Sequence, residues 1–290
     1  MAPALRAAYR TCGELTRAAS TTFYLSSLFL PVHKRRAIWA VYAFCRTADD
    51  LVDRTAPALE RLAAVDALER SLSAAVCGDA ADPLFVAYAD ASQRFGIPLG
   101  PALELLRGAR MDISVARYAT YAALCEYCYL VASTVGLLVA PVLGYAAPVA
   151  LEYGIVLGRA MQLTNILRDV GEDASLGRIY LPGEDLERFG CVERRLFDGV
   201  VDDRFRALMR FQIARVRELY ERAHPGVALL DPGSRYTVGL AHRLYGAILD
   251  SIEANDYDVF TRRAFVPLER KIRAAMVLAL PRPRRFVAQR

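Results

Sequence analysis

Residues 33–53 read HKRRAIWAVYAFCRTADDLVD. The stretch holds no glycine or proline, and Ile38, Val41, Tyr42 and Cys45 recur at helical intervals, which predicts a long helix with one buried face. No run of alternating apolar and polar residues long enough for a sheet appears on either side. The same spacing predicts further helices over 58–76, 82–95, 101–114, 120–140, 148–173, 202–223, 235–254 and 263–278. Breaks are expected at Gly96-Ile97-Pro98, at Pro141, at Gly144, between Gly177 and Gly183, and at Pro225-Gly226. Nothing resembles an interdomain linker or a tandem repeat, so one all-α domain covering residues 1–290 is the expectation.

With 54% hydrophobic and 24% charged residues, the 290-residue chain has the composition of a folded protein rather than a disordered or collagen-like one. Its net charge of +5 comes from 37 basic residues, of which only Lys34 and Lys271 are lysines. Arginine forks match phosphate oxygens, so the excess suits phosphate-bearing ligands. It is too small and too scattered for a nucleic-acid partner, which would want a clustered basic face. Cys12, Cys45, Cys77, Cys125, Cys128 and Cys191 lack the spacing of a disulfide framework and point to a reducing compartment. Cys125 and Cys128 form a lone CxxC that no second pair completes into a zinc site, so they read as buried thiols. The N-terminal residues mix Arg6, Arg10, Glu14 and Arg17 with apolar ones, unlike a signal peptide, and a cytoplasmic location is expected.

From Tyr127 to Leu151 no charged residue occurs. A bilayer span is one reading of such a run. Pro141, Gly144 and Pro148 interrupt it, Ser133 and Thr134 add polarity, and no basic cluster flanks it, which favours a core helix broken at Pro141.

Two acidic constellations carry the chemistry. Asp49 and Asp53 lie four apart at the end of the helix quoted above, so their carboxylates share a face, where like charges repel unless a cation offsets them. Arg46, three residues before Asp49, could do so alone, and the bland reading is then an exposed acidic helix end with a local ion pair. In QLTNILRDVGED, residues 162–173, Asn165, Asp169 and Asp173 follow at steps of four, with Arg168 adjacent. Carboxylates on two helices suit Mg²⁺ ions shared with a diphosphate, because Mg²⁺ takes oxygen ligands and is commonly held by one or two carboxylates plus phosphate. A bundle-type di-iron centre would need two Glu-x-x-His motifs, which His33, His224 and His242 do not supply.

These residues resemble the squalene and phytoene synthases, which join two prenyl diphosphates, and within them the bacterial phytoene synthases most. The matching strings are YAFCRTADDLVD at 42–53, YCYLVASTVG at 127–136 and QLTNILRDVGEDASLGRIYLP at 162–182, with Ser20 to Thr22 and RLYGAILD at 243–250. The resemblance implies an isoprenoid synthase-type helical bundle around a central cavity. It implies that Asp49 and Asp53 form one metal-binding face, and Asn165, Asp169 and Asp173 the other. By the same resemblance Ser20, Thr22, Tyr42, Arg46, Gln162, Asn165 and Arg168 contact diphosphate oxygens, and Tyr129 and Tyr245 stand near the reacting carbons. Arg178 either closes over the phosphates or caps a loop.

The implied reaction is head-to-head condensation of two geranylgeranyl diphosphates through a cyclopropyl diphosphate to phytoene, in carotenoid biosynthesis. Mg²⁺, with Mn²⁺ as a substitute, is the expected cofactor, and no nicotinamide cofactor is expected. Small residues such as Ser26 and Ser27 near the cavity would leave room for C20 chains. A C15-using relative making presqualene diphosphate, dehydrosqualene or squalene remains an alternative, as do a terpene cyclase and a non-catalytic assembly protein. Oily ligands and an arginine-rich tail, Pro281 to Arg290, suggest a peripheral membrane association, although a solvated terminus would have the same composition. A carotenoid desaturase is the expected downstream partner.

Overall fold

The computed structural model describes residues 1–279, and the tail from Pro281 onward lies outside them. The chain winds through α1 (Pro3–Ala19), α2 (Thr21–Ser27), α3 (Val32–Val52), α4 (Ala58–Val76), α5 (Pro83–Phe95), α6 (Leu99–Ser114) and α7 (Tyr121–Cys128). A π turn, Tyr129–Ser133, joins α7 to α8 (Thr134–Leu143). Then follow α9 (Val149–Arg168), α10 (Val170–Ser175), α11 (Gly183–Arg188), α12 (Glu193–Phe197), α13 (Asp203–Ala223), a 3₁₀ segment (His224–Leu229), α14 (Pro232–Ala254) and α15 (Leu268–Ala279). Among the described residues no strand forms, only the isolated bridges Arg117–Ile179 and Tyr145–Leu230.

Local chemistry sets many of these boundaries. Ser20, Asp82, Thr120 and Asp202 cap α2, α5, α7 and α13 by accepting from backbone N–H groups of the first turn. The expected break at Pro141 does not occur. Helix α8 runs through it to Leu143, because Leu138, Val142 and Leu143 are buried and hold the last turn in the core, and it ends at Gly144, whose φ is +75°.

Buried apolar residues form two clusters. One gathers Phe44, Leu72, Tyr88 and Leu106 from α3 to α6, and the other Leu167, Leu208, Met209 and Ile213 from α9 and α13. The uncharged run lies between them as a central helix. The helical stretch Tyr121–Leu143, which holds most of the run, is long and apolar enough to cross a membrane, but it packs among α3, α6 and α9 within the bundle. Close approach of α9 to the π turn requires a glycine: a methyl group on Gly158 would come within 2.7 Å of the Ala132 carbonyl oxygen and the Ser133 Cα. Ser133 fixes the crossing by donating to the Ile155 carbonyl at 2.8 Å.

Replacing Gly158 with Ala should therefore lower unfolding free energy in urea by about 1–3 kcal/mol, since the atoms it meets are backbone. Gly154→Ala on the same helix, where nothing lies within 4 Å of the added carbon, should be neutral or stabilising. Equal losses for both would show that helix crossing does not depend on the glycine.

Candidate active site

The acids of α3 come together as their spacing predicted. The Asp53 N–H donates to the Asp49 carbonyl at 3.1 Å, continuing the helix and keeping both side chains on one face. The second set is carried across a backbone irregularity at Asp169 (φ −104°, ψ 14°), where α9 passes into α10. The i to i−4 bonds persist through it, from Asp169 N–H to the Asn165 carbonyl at 2.9 Å and from Asp173 N–H to the Asp169 carbonyl at 2.8 Å.

Both faces open onto one polar cavity of 1020 Å³. Arg46, Asp49, Asp53, Gln162, Asn165, Arg168, Asp169, Asp173 and Arg178 all line it. Asp49 is exposed to the space of the cavity yet walled by protein on most sides. Its carboxyl is pushed up to about 7, first by this enclosure and then by Asp53, Asp112 and Asp50, with Arg46 opposing. Asp173 also rises to about 7, through its enclosure and the nearby Asp169, Asp112 and Glu172, against Arg178.

Arginines offset the other acids. Arg46 pairs with Asp50, one turn onward, rather than with Asp49. Arg168 forks onto Asp169 at 2.8 and 2.5 Å, and Arg178 stands 3.7 Å from Asp53. Arg178 thus faces the cavity as well as ending a loop.

Four cavity residues escaped the sequence reading. Asp112 of α6 accepts from the Tyr180 hydroxyl at 2.5 Å, and burial raises its pKa while that bond and Arg178 oppose the rise. Tyr127 and Tyr180 stack with ring centroids 5.3 Å apart. Arg263, from the segment before α15, reaches Asp169 and Glu172 at 3.1 Å each. Asp112 and Tyr180 meet from 68 positions apart, a pairing that no local spacing encodes.

Tyr129 corrects an expectation. Its hydroxyl points away from the cavity and donates to Glu104 at 2.8 Å. Residues two apart on a helix point in nearly opposite directions, so once Tyr127 faces the acids Tyr129 cannot. The side chain of Thr22 lies outside the described residues. Ser20, Tyr42 and Tyr245 line a second, apolar compartment of 240 Å³, together with Phe23, Val135, Leu157, Met161 and Leu244. Ser26 and Ser27 line it too. The compartments adjoin: α3 places Tyr42 in one and Arg46, a turn later, in the other, and α9 does the same with Met161 and Gln162.

The oxygen-only donor set suits hard divalent cations. Among the described residues no three acidic, histidine or cysteine groups converge closely enough to hold an ion by themselves. Ions held by one or two carboxylates each and completed by phosphate oxygens fit that arrangement.

An all-helical bundle with two acidic faces across a polar cavity, backed by an apolar compartment, defines a protein built to hold an anion with an oily tail. A family model described as squalene/phytoene synthase matches residues 16–270. The 15-cis-phytoene synthase of Synechococcus elongatus is 44% identical over 280 residues, covering 92% of this chain and 91% of that protein. The phytoene synthase of Arthrospira platensis is 44% identical over 284 residues, covering 93% and 92%. A solved dehydrosqualene synthase superposes with a TM-score of 0.89 at 33% identity, covering 94% of this chain and 96% of its own. The squalene synthase HpnC of Alicyclobacillus acidocaldarius gives 0.83 at 32%, covering 89% and 97%. The chain belongs to the squalene/phytoene synthase family.

Because Asp49 and Asp173 bind protons more tightly when folded than when unfolded, the stability they contribute is complete below about pH 4. It is lost as pH rises through their folded values of about 7. Metal-free protein should accordingly lose stability to urea between these limits, and Asp49→Asn or Asp173→Asn, which stay neutral, should reduce the loss. An undiminished loss in both variants would assign the pH dependence to other groups.

Proposed function

We propose that this protein condenses two molecules of geranylgeranyl diphosphate head to head, through a cyclopropyl diphosphate, to phytoene. The observation that carries the reading is the juxtaposition of an acid- and arginine-lined cavity with an apolar compartment, one helical turn apart on α3 and α9. The two cyanobacterial relatives above, both phytoene synthases, support the C20 substrate over the C15 one. Reading residues 1–290 as one domain is supported by the described residues, among which members of both core clusters line the cavity.

Asp49, Asp53, Asn165, Asp169 and Asp173 would hold Mg²⁺, with Mn²⁺ as a substitute. Bound there, the metal supplies positive charge to the leaving diphosphate. Arg46, Arg168, Arg178 and Gln162 take its remaining oxygens, and the paired arginines turn from carboxylate to phosphate without leaving the cavity wall. Tyr42, with Ser20 beside it, and Tyr245 mark the boundary where the first prenyl carbons lie. Carbon–oxygen cleavage in one substrate leaves an allylic cation in a compartment whose apolar walls exclude water. The double bond of the second substrate attacks it, and the resulting cation closes the cyclopropane by giving a proton to the diphosphate that has just left. Ionisation of this cyclopropyl diphosphate and rearrangement join the two C1 carbons. A final proton passes to diphosphate, so no nicotinamide cofactor is used. Peripheral membrane association and a carotenoid desaturase that consumes the hydrocarbon complete this reading, with the enzyme on the cytoplasmic side.

Product analysis by mass spectrometry after incubation with C15 or C20 diphosphates, with and without NADPH, tests it. A single C40 hydrocarbon from the C20 substrate, unaffected by NADPH, is expected; consumption of farnesyl diphosphate alone would overturn the chain length.

Asp49→Asn should lower kcat at least a hundredfold, a loss on the order of 3 kcal/mol of transition-state stabilisation. Tyr127→Phe should slow turnover more than Tyr129→Phe, whose hydroxyl serves only Glu104. The opposite order would return Tyr129 to the reacting end of the cavity.

A further inference from the structure

Eight of the sixteen exposed large hydrophobic side chains among the described residues fall in two short segments, 25–32 and 268–277. Leu25 comes from α2, Leu28 and Phe29 from the turn after it, and Val32 from the first turn of α3. On α15, Leu268, Ile272 and Met276 recur at intervals of four and form one exposed stripe. This stripe is not the packing face of α15, which turns Ala274, Ala275 and Leu278 onto the C-terminal core cluster. The two segments are joined across α14. Phe29 rests edge-on against Tyr236 with centroids 4.8 Å apart, and the Tyr236 hydroxyl donates to the Ala275 carbonyl of α15 at 2.9 Å. Clustered apolar exposure of this kind marks an interaction surface, whereas single exposed residues do not.

Charge selects the partner. Residues 268–290 carry seven basic side chains and only Glu269 as an acid, a net +6 in a chain of +5, so residues 1–267 carry −1. Arg270 and Arg273 are exposed on α15 itself, and four more arginines follow it. A two-fold dimer through this face would set one such basic segment against another, which repulsion disfavours. An apolar stripe beside arginines matches the interface of an anionic bilayer, where apolar side chains enter the headgroup boundary and basic ones meet lipid phosphates.

We propose that the α2–α15 surface docks on an anionic lipid bilayer. The apolar compartment lies behind it, with Ser26, Ser27 and Leu30 from the α2 side and Thr237 and Val238 from α14 in its wall. Docking there sets the hydrocarbon end of the site beside lipid. The purpose given to this arrangement rests on the prenyl diphosphate reading; the surface itself does not.

Co-sedimentation of the full chain with phosphatidylcholine vesicles, alone and with added phosphatidylglycerol, is the direct test. Binding should require phosphatidylglycerol and fall with salt. The double variant Ile272→Glu with Met276→Glu should weaken it by ~10-fold, and so should Arg270→Glu with Arg273→Glu, which removes no apolar contact. Leu59→Glu, at a lone exposed leucine on α4, should bind as the parent does. Thermal melts and turnover on detergent-dispersed substrate should match the parent in all three. Equal binding by every variant, or loss of a dimer by α15 variants with no vesicle binding in the parent, would overturn the proposal. The predicted binding pattern would uphold the surface even if product analysis failed to give phytoene, so the two readings fail separately.

Discussion

Carboxylates that face one another across an enclosed cavity, with too few cations between them, are the interaction on which the rest of this structure turns. Asp49 and Asp173 hold their protons up to about 7 because α3, α6 and α10 bring Asp53, Asp112 and Asp169 near them in a walled space. Such repulsion is a standing cost to the folded state. It persists beside a mostly apolar core, and it makes the cavity receptive to divalent cations bridged to an anion.

The arginines around these acids belong to the same balance. Arg168 and Arg263 both reach Asp169, while Arg178 faces Asp53. Each pair keeps a guanidinium at the cavity wall, and Arg168 presents both prongs of its fork, the geometry that also suits phosphate. Acids and bases thereby stand as partners along the cavity wall.

Backbone packing sets the polar and apolar compartments side by side. Helix α9 can approach the π turn only because Gly158 presents no side chain there, and this approach brings Leu157 and Met161 to the oily side while Gln162 and Asn165 reach the acids. On α3 the boundary falls between Tyr42 and Arg46. One helical turn therefore separates the polar cavity from the apolar compartment. Exposed apolar residues of α2 and α15 continue that polarity to the outer surface, on the side where the apolar compartment lies.

The sequence by itself determined the helical class and the two acidic sets, because both depend on relations within a few residues: apolar spacing near 3.6 and acids four apart. The i to i−4 bonds through Asp169 kept that relation even where α9 gave way to α10. What only the tertiary structure decided were pairings across long separations and rotations about a helix axis. Asp112 and Tyr180 meet across 68 residues, and Arg263 arrives from the far end of the chain to reach Asp169. Tyr127 rather than Tyr129 faces the acids because the rotation of their helix is fixed by how it packs on α6 and α9, and the motif around both tyrosines reads the same whichever one points inward. Pro141 stayed within α8 for a like reason, since burial of its neighbours outweighed one missing N–H, an energy that no local rule contains.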